Sequence, residues 1–241
     1  MKHKYLKLGV VAVLLLCGLC WAYAADFYHA DDTAVVAMSS AADVTVEQKG
    51  NILAFIPENA ETGLIFYPGG KAEYTAYAPL MRALADSGVL GVLVRMPLNL
   101  AVLDMNAADG IPEQYPQIKH WYIGGHSLGG SMAASHAAKN ASVYEDLVLL
   151  TSYSTADLSA SGLPVISIYG SEDGVLNRKK YTGYRRNLSA ALEEHIIQGG
   201  CHAGFGSYGP QDSDGVPTIT GEEQTAETVR LLTAFFKSTQ E

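Results

Sequence analysis

The sequence predicts an α/β fold, a doubly wound and mostly parallel sheet entered through an N-terminal antiparallel hairpin. Three observations carry this expectation. Runs at 64–67, 89–95, 121–123, 147–150 and 165–169 are continuously apolar, as strands buried on both faces must be. Long connections separate them, several with helical periodicity, which parallel neighbours require. Ahead of them, 43–48 and 52–56 alternate apolar and polar positions around Lys49-Gly50-Asn51, the pattern of a hairpin at a sheet edge.

The first 25 residues stand apart: Lys2, Lys4 and Lys7 precede an uncharged stretch over 8–25 that ends before Asp26. That pattern predicts an export signal or membrane anchor, and the positive-inside bias would put the rest of the chain outside the cytoplasm. A retained anchor is the favoured expectation. Ala22-Tyr23-Ala24 offers the alternative, secretion after cleavage following Ala24. Residues 26–42 read as a polar linker and 43–241 as one domain, since 241 residues with 48% hydrophobic content suffice for a single core.

Within that domain, helices are expected over 74–86, 128–140, 177–192 and 222–237. Gly88 can end the first, and Thr220 with Glu223 forms a capping box before the last. Val229, Leu232, Phe235 and Phe236 make an apolar stripe that should dock on the sheet. A short final strand is expected at 195–198, and 204–221 is the longest irregular piece. The connection over 151–163 is too short to hold a large cap.

Composition excludes several function classes. A net charge of −9 and a pI near 5.2 argue against a nucleic-acid partner, which needs clustered Lys and Arg. Cys17 and Cys20 lie in the apolar segment, leaving Cys201 without a disulfide partner in the domain. With neither paired cysteines nor a His-Glu-x-x-His helix, no metal site is expected, and the chemistry below requires no cofactor.

Ser127 lies in Gly125-His126-Ser127-Leu128-Gly129, directly after an apolar run and opening a helical segment. A serine on a sharp strand-to-helix turn needs a strained backbone and minimal neighbours, which flanking glycines supply. Its hydroxyl is a poor nucleophile without a base, so a histidine and an acid are expected downstream at strand ends. Asp173, in Gly170-Ser171-Glu172-Asp173 after the 165–169 strand, is the chosen acid, with Glu172 as its competitor. His202, in Gly199-Gly200-Cys201-His202-Ala203-Gly204, is the base. His29, His120, His126, His136 and His195 read as structural, and Cys201 as a small buried residue. An oxyanion needs two N–H donors: the amide of Leu128, and that of Gly70 or Lys71 in the glycine loop after 64–67.

Tyr67-Pro68-Gly69-Gly70, Gly124-Gly125-His126-Ser127-Leu128-Gly129-Gly130, Gly170-Ser171-Glu172-Asp173 and Gly200-Cys201-His202 resemble the α/β-hydrolase superfamily over residues 43–237. The chain is similar to its small, capless group near dienelactone hydrolases and bacterial carboxylesterases. It departs from dienelactone hydrolases in having serine as nucleophile, and from lipases with a His-Gly-Gly-Gly loop in having Tyr67-Pro68 before the glycines. The resemblance implies a Ser-Asp-His triad on Ser127, Asp173 and His202. The expectation is an extracytoplasmic serine hydrolase of a small carboxylic ester, its open site walled by Tyr153, Tyr208, Gln211, Asp212 and Asp214. An acyltransferase using the same triad and a non-catalytic surface-binding protein are the alternatives.

Overall fold

The computed structural model describes residues 2–41 and 43–240. Met1, Ala42 and Glu241, which bound the expected segments, lie outside the described residues, as do the side chains of Lys2, Lys4 and Ala24. The elements run α1 (Lys2–Ala25), α2 (Asp32–Ala37), β1 (Val44–Lys49), β2 (Ile52–Pro57), β3 (Thr62–Tyr67), α3 (Ala78–Asp86) and β4 (Val89–Val94). They continue with β5 (His120–His126), α4 (Leu128–Ala137), β6 (Asp146–Leu150), β7 (Val165–Gly170), α5 (Arg178–Tyr184), β8 (Leu192–Ile197) and α6 (Gly221–Thr239).

The strands form one sheet in the order β1-β2-β4-β3-β5-β6-β7-β8. β1 pairs antiparallel with β2 in the expected hairpin, Lys49 facing Ile52, and β2 is antiparallel to β4. All later pairings are parallel. Alternation along β3 divides the core: Leu64 and Phe66 face a layer holding Met81 and Leu84 of α3 and Leu232 and Phe236 of α6. Ile65 and Tyr67 face the other, with Ala133, Ala134 and Ala137 of α4. The small residues of α4 let that helix lie close to the strands, and the stripe on α6 docks as its spacing predicts. Thr220 and Glu223 close the capping box at the start of α6. Every C-terminal strand end from β3 to β8 therefore opens on one edge, where ligands meet open α/β sheets.

Two elements differ from expectation. The helix expected over 177–192 is only α5 and a 3-10 turn at Arg185–Asn187, and β8 begins at Leu192 rather than His195. β8 is an edge strand with polar positions at Glu193, which is exposed, and at Glu194 and His195, which are half-buried, so it lacks the apolar run that announces the inner strands. The connection from β4 to β5 carries no α-helix, only 3-10 turns at Pro97–Asn99, Ala101–Leu103 and Pro112–Gln114. It is longer than the 204–221 piece. Pro97, Pro112 and Pro116 deny a helix its amides, and Leu98 and Asn99 take left-handed conformations, φ 52° and 55°.

The expectation of a chain anchored in a membrane by its first 25 residues is corrected. Among the described residues no helix is long and apolar enough to cross a membrane. The uncharged run over 8–25 sits at the bottom of the length a hydrocarbon core demands, about 20 residues. Past α1 the chain packs on the domain: Asp26 pairs with Lys71 at 2.7 Å, and the Tyr28 amide donates to the Lys71 carbonyl at 2.7 Å.

Candidate active site

Ser127 occupies the turn between β5 and α4 with φ 51° and ψ −121°, a conformation that costs about 1–3 kcal/mol and persists only where its surroundings impose it. Those surroundings are backbone. A Cβ on Gly129 would stand 2.2 Å from the Pro68 carbonyl oxygen, and one on Gly125 would stand 2.5 Å from that of Tyr67. The Ser127 amide donates to the Leu150 carbonyl at 3.0 Å, and the Ser152 hydroxyl donates to the Ser127 carbonyl at 2.6 Å. The turn is thus fixed between the ends of β3 and β6.

Asp173 and His202 come together from loops after β7 and β8. His202 Nδ1 lies 3.1 Å and 3.2 Å from the two Asp173 oxygens, and both side chains are buried. Asp173 Oδ1 also accepts from the amides of Val175 and Leu176, at 2.9 and 2.8 Å. Burial raises the Asp173 carboxyl, but hydrogen bonds from His202, Thr151 and the Leu176 amide, with the His202 charge, outweigh it and hold the group at about 2. Glu172 is exposed and accepts from the Ser171 hydroxyl, so of the two acids only Asp173 reaches the imidazole.

With Nδ1 committed to Asp173, Nε2 is the ring nitrogen left uncommitted. It is buried and has no hydrogen-bond partner among the described residues. The Leu128 amide is the first N–H of α4, without an intrahelical partner and at the positive end of the helix dipole. Gly70 abuts it: an added Cβ would stand 2.9 Å from Leu128 Cδ2. On either side the amides are engaged, Gly69 with the Tyr77 hydroxyl at 3.0 Å and Lys71 with the Asn99 carbonyl at 2.9 Å.

Two groups escaped the sequence reading. Thr151, immediately after β6, donates its hydroxyl to Asp173 Oδ2 and lies 3.2 Å from His202 Nδ1. Its place just past a strand run at the functional edge was the one available signal. Tyr77 and His126 form a buried bridge. The Tyr77 hydroxyl meets His126 Nδ1 at 2.9 Å, and His126 Nε2 donates to the His202 carbonyl at 3.1 Å. Burial, then the nearby His202 charge, hold His126 well below its usual value. It is therefore a neutral link between the glycine loop and the His202 loop.

Of the expected polar walls, Tyr208 is instead buried against Tyr77 and Tyr28. Tyr153 is half-buried and stacks on Tyr184 at 5.4 Å. Cys201 is buried, and burial with the nearby Asp214 charge pushes its thiol up to about 11, far from thiolate reactivity.

A serine turn at a strand end thus lies on the same sheet edge as a buried carboxylate–imidazole pair and a glycine loop, and the comparisons name the family. A family model described as alpha/beta hydrolase matches residues 63–226, more than half of the chain. The chain belongs to the alpha/beta hydrolase family. Solved structures of similar fold include MGS-MChE2, an alpha/beta hydrolase enzyme from the metagenome of lagoon sediments at Mar Chica, Morocco, with TM-score 0.60 and 16% identity over 82% of this chain and 100% of that one. Dienelactone hydrolase from Anabaena variabilis gives TM-score 0.60 and 14% identity over 81% and 98%. Est1E from Butyrivibrio proteoclasticus gives 0.57 and 12% over 82% and 100%. No curated protein matches the chain.

Proposed function

We propose that this chain is a serine hydrolase that cleaves a small carboxylic ester through an acyl-enzyme on Ser127. The observation that carries the reading is the buried Asp173–His202 pair, whose Nε2 is uncommitted, on the same sheet edge as the strained Ser127 turn. In this reading His202 Nε2 takes the Ser127 proton as Oγ bonds to the ester carbonyl carbon, and the carbonyl oxygen becomes an oxyanion held by the Leu128 and Gly70 amides. Gly70 is preferred over Lys71 because the Lys71 amide is bonded to Asn99. Collapse breaks the ester C–O bond, and His202 gives its proton to the leaving alcohol. Water, deprotonated by His202, then releases the acid and restores Ser127. Asp173, ionised throughout the neutral range, holds the imidazole in the required tautomer and stabilises its protonated form.

The 151–163 connection contains no helix and no strand, which supports an open site and a substrate of modest size or one presented from outside. Residues 43–241 are proposed as the hydrolase domain. A fluorophosphonate probe and short p-nitrophenyl esters test the assignment: wild-type protein is expected to be labelled and to turn over. Ser127→Ala is expected to lose the label and to reduce turnover by about a thousandfold or more. Equal labelling of the two proteins would sink the reading.

A further inference from the structure

The irregular segment between His202 and α6 doubles back over the sheet edge and inserts Asp214 between two catalytic loops. Asp214 Oδ1 accepts from the His202 amide at 3.1 Å, the Gly174 amide at 3.1 Å and its neighbour Gly215 at 2.9 Å, and Oδ2 accepts from the Ala203 amide at 2.8 Å. One carboxylate thus joins the backbone of the base to the backbone of the residue that follows the acid. The approach leaves no slack. A Cβ on Gly174 would stand 2.5 Å from the Ser213 carbonyl oxygen, and one on Gly215 would collide with the Glu172 carbonyl oxygen.

From this geometry we infer that Asp214 is a positioning residue for the proposed reaction, setting the His202 imidazole against Asp173 and towards Ser127. The inference rests on the serine-hydrolase reading for its kinetic consequence, not for its geometry. The side chain has to be a carboxylate. Both of its oxygens accept from amides, whereas an asparagine turns an N–H2 group towards one of those donors and loses that contact. A carboxylate also accepts these amide bonds more strongly than a neutral amide oxygen would. Asp173 fixes the ring; Asp214 fixes the loop that carries it. Displacing a base by about 1 Å costs up to a hundredfold in rate.

The test compares wild type, Asp214→Asn, Asp214→Glu and Asp86→Asn, the last making the same chemical change on the exposed end of α3. Each is titrated with a fluorophosphonate, reading both the labelled fraction at completion and the rate of labelling, alongside kcat and KM on a p-nitrophenyl ester. Asp214→Asn is expected to reach the wild-type labelled fraction at a rate about ten- to a hundredfold lower, with kcat falling in step and KM within about twofold. Asp214→Glu keeps both acceptor oxygens and recovers part of the rate. Asp86→Asn behaves as wild type.

A purely structural role predicts the opposite split, a lower labelled fraction with an unchanged rate per labelled site, and that result overturns the proposal. Independently of turnover, the low-field proton NMR resonance of His202 Nδ1–H reports its bond to Asp173. It is expected to broaden or shift in Asp214→Asn and to stay in place in Asp86→Asn. Wild-type protein that takes no label but loses this resonance in Asp214→Asn refutes the hydrolase reading while upholding Asp214. Labelled protein with an unmoved resonance and rate does the reverse.

Discussion

Thr151 holds a left-handed backbone, φ 46°, that a β-branched residue rarely adopts. The hydroxyl explains its presence there: it donates to Asp173 Oδ2 and so fills a lone-pair position that His202 leaves open on the acid. Thr151→Val keeps the shape and the strain but removes the donor. It is expected to lower kcat about tenfold, the equivalent of one hydrogen bond to a charged group, with KM near wild type, whereas Thr151→Ser restores the rate; steady-state kinetics on the three proteins decides it. At this scale the sequence singled out Ser127, Asp173 and His202, of which the last two are in contact, because each follows a strand and stands among glycines. It could not announce Thr151, since a lone threonine after a strand is unremarkable. Nor could it announce the Tyr77–His126 link, whose partners are 49 residues apart.

Between elements, the decisive contact is the one that α4 makes with the end of β3. A Cβ on Gly129 would meet two backbone oxygens, of Pro68 at 2.2 Å and of Tyr67 at 2.3 Å, neither of which can rotate away. Gly129→Ala is expected to destabilise the fold by about 1–3 kcal/mol. Because the strand end it displaces leads into Gly70, the remaining folded protein should also lose kcat; urea denaturation and kinetics measure the two effects separately. Gly183→Ala in α5 is the contrast, with nothing within 4 Å of the new methyl. It should be neutral or stabilising by up to about 1 kcal/mol. Inner strands and α6 were legible because burial on two faces, or on one stripe, leaves a periodic trace. β8 was legible only in part: its polar edge positions mask its beginning. The long passage from β4 to β5 is organised by prolines and left-handed residues, whose turns carry no period to read.

Across the whole molecule, the edge opposite Ser127 carries its own strained group. Asp146 opens β6 fully buried; Oδ2 accepts from Thr239 of α6 at 2.7 Å, and Oδ1 has no partner among the described residues. Burial raises its carboxyl to about 6. A raised folded-state value contributes stability that is complete below the unfolded value, 3.8, and is lost as pH rises through about 6. Asp146→Asn should therefore be more stable than wild type at pH 8, by about 1–3 kcal/mol, since it removes the buried charge. The advantage should disappear at pH 4, and urea denaturation at the two pH values shows it or refutes it. The global feature that the sequence carried was the mostly parallel sheet entered through an antiparallel hairpin. The reading of the first 25 residues as an anchor failed because it weighed the absence of charge more heavily than length.

The ties between α6 and the start of the sheet also give the molecule a front and a back. Tyr122 donates to the Phe236 carbonyl at 3.2 Å, and Gln240 donates to the Thr62 hydroxyl at 3.1 Å, so the chain leaves α6 beneath the strands, behind the face that holds Ser127. The other end is different: Asp26 grips Lys71, the residue after Gly70. Immobilising the protein on an electrode or a bead through a tag beyond α6 would present the cleft to the solution. A linker attached ahead of Asp26 would instead tug on the glycine loop after β3.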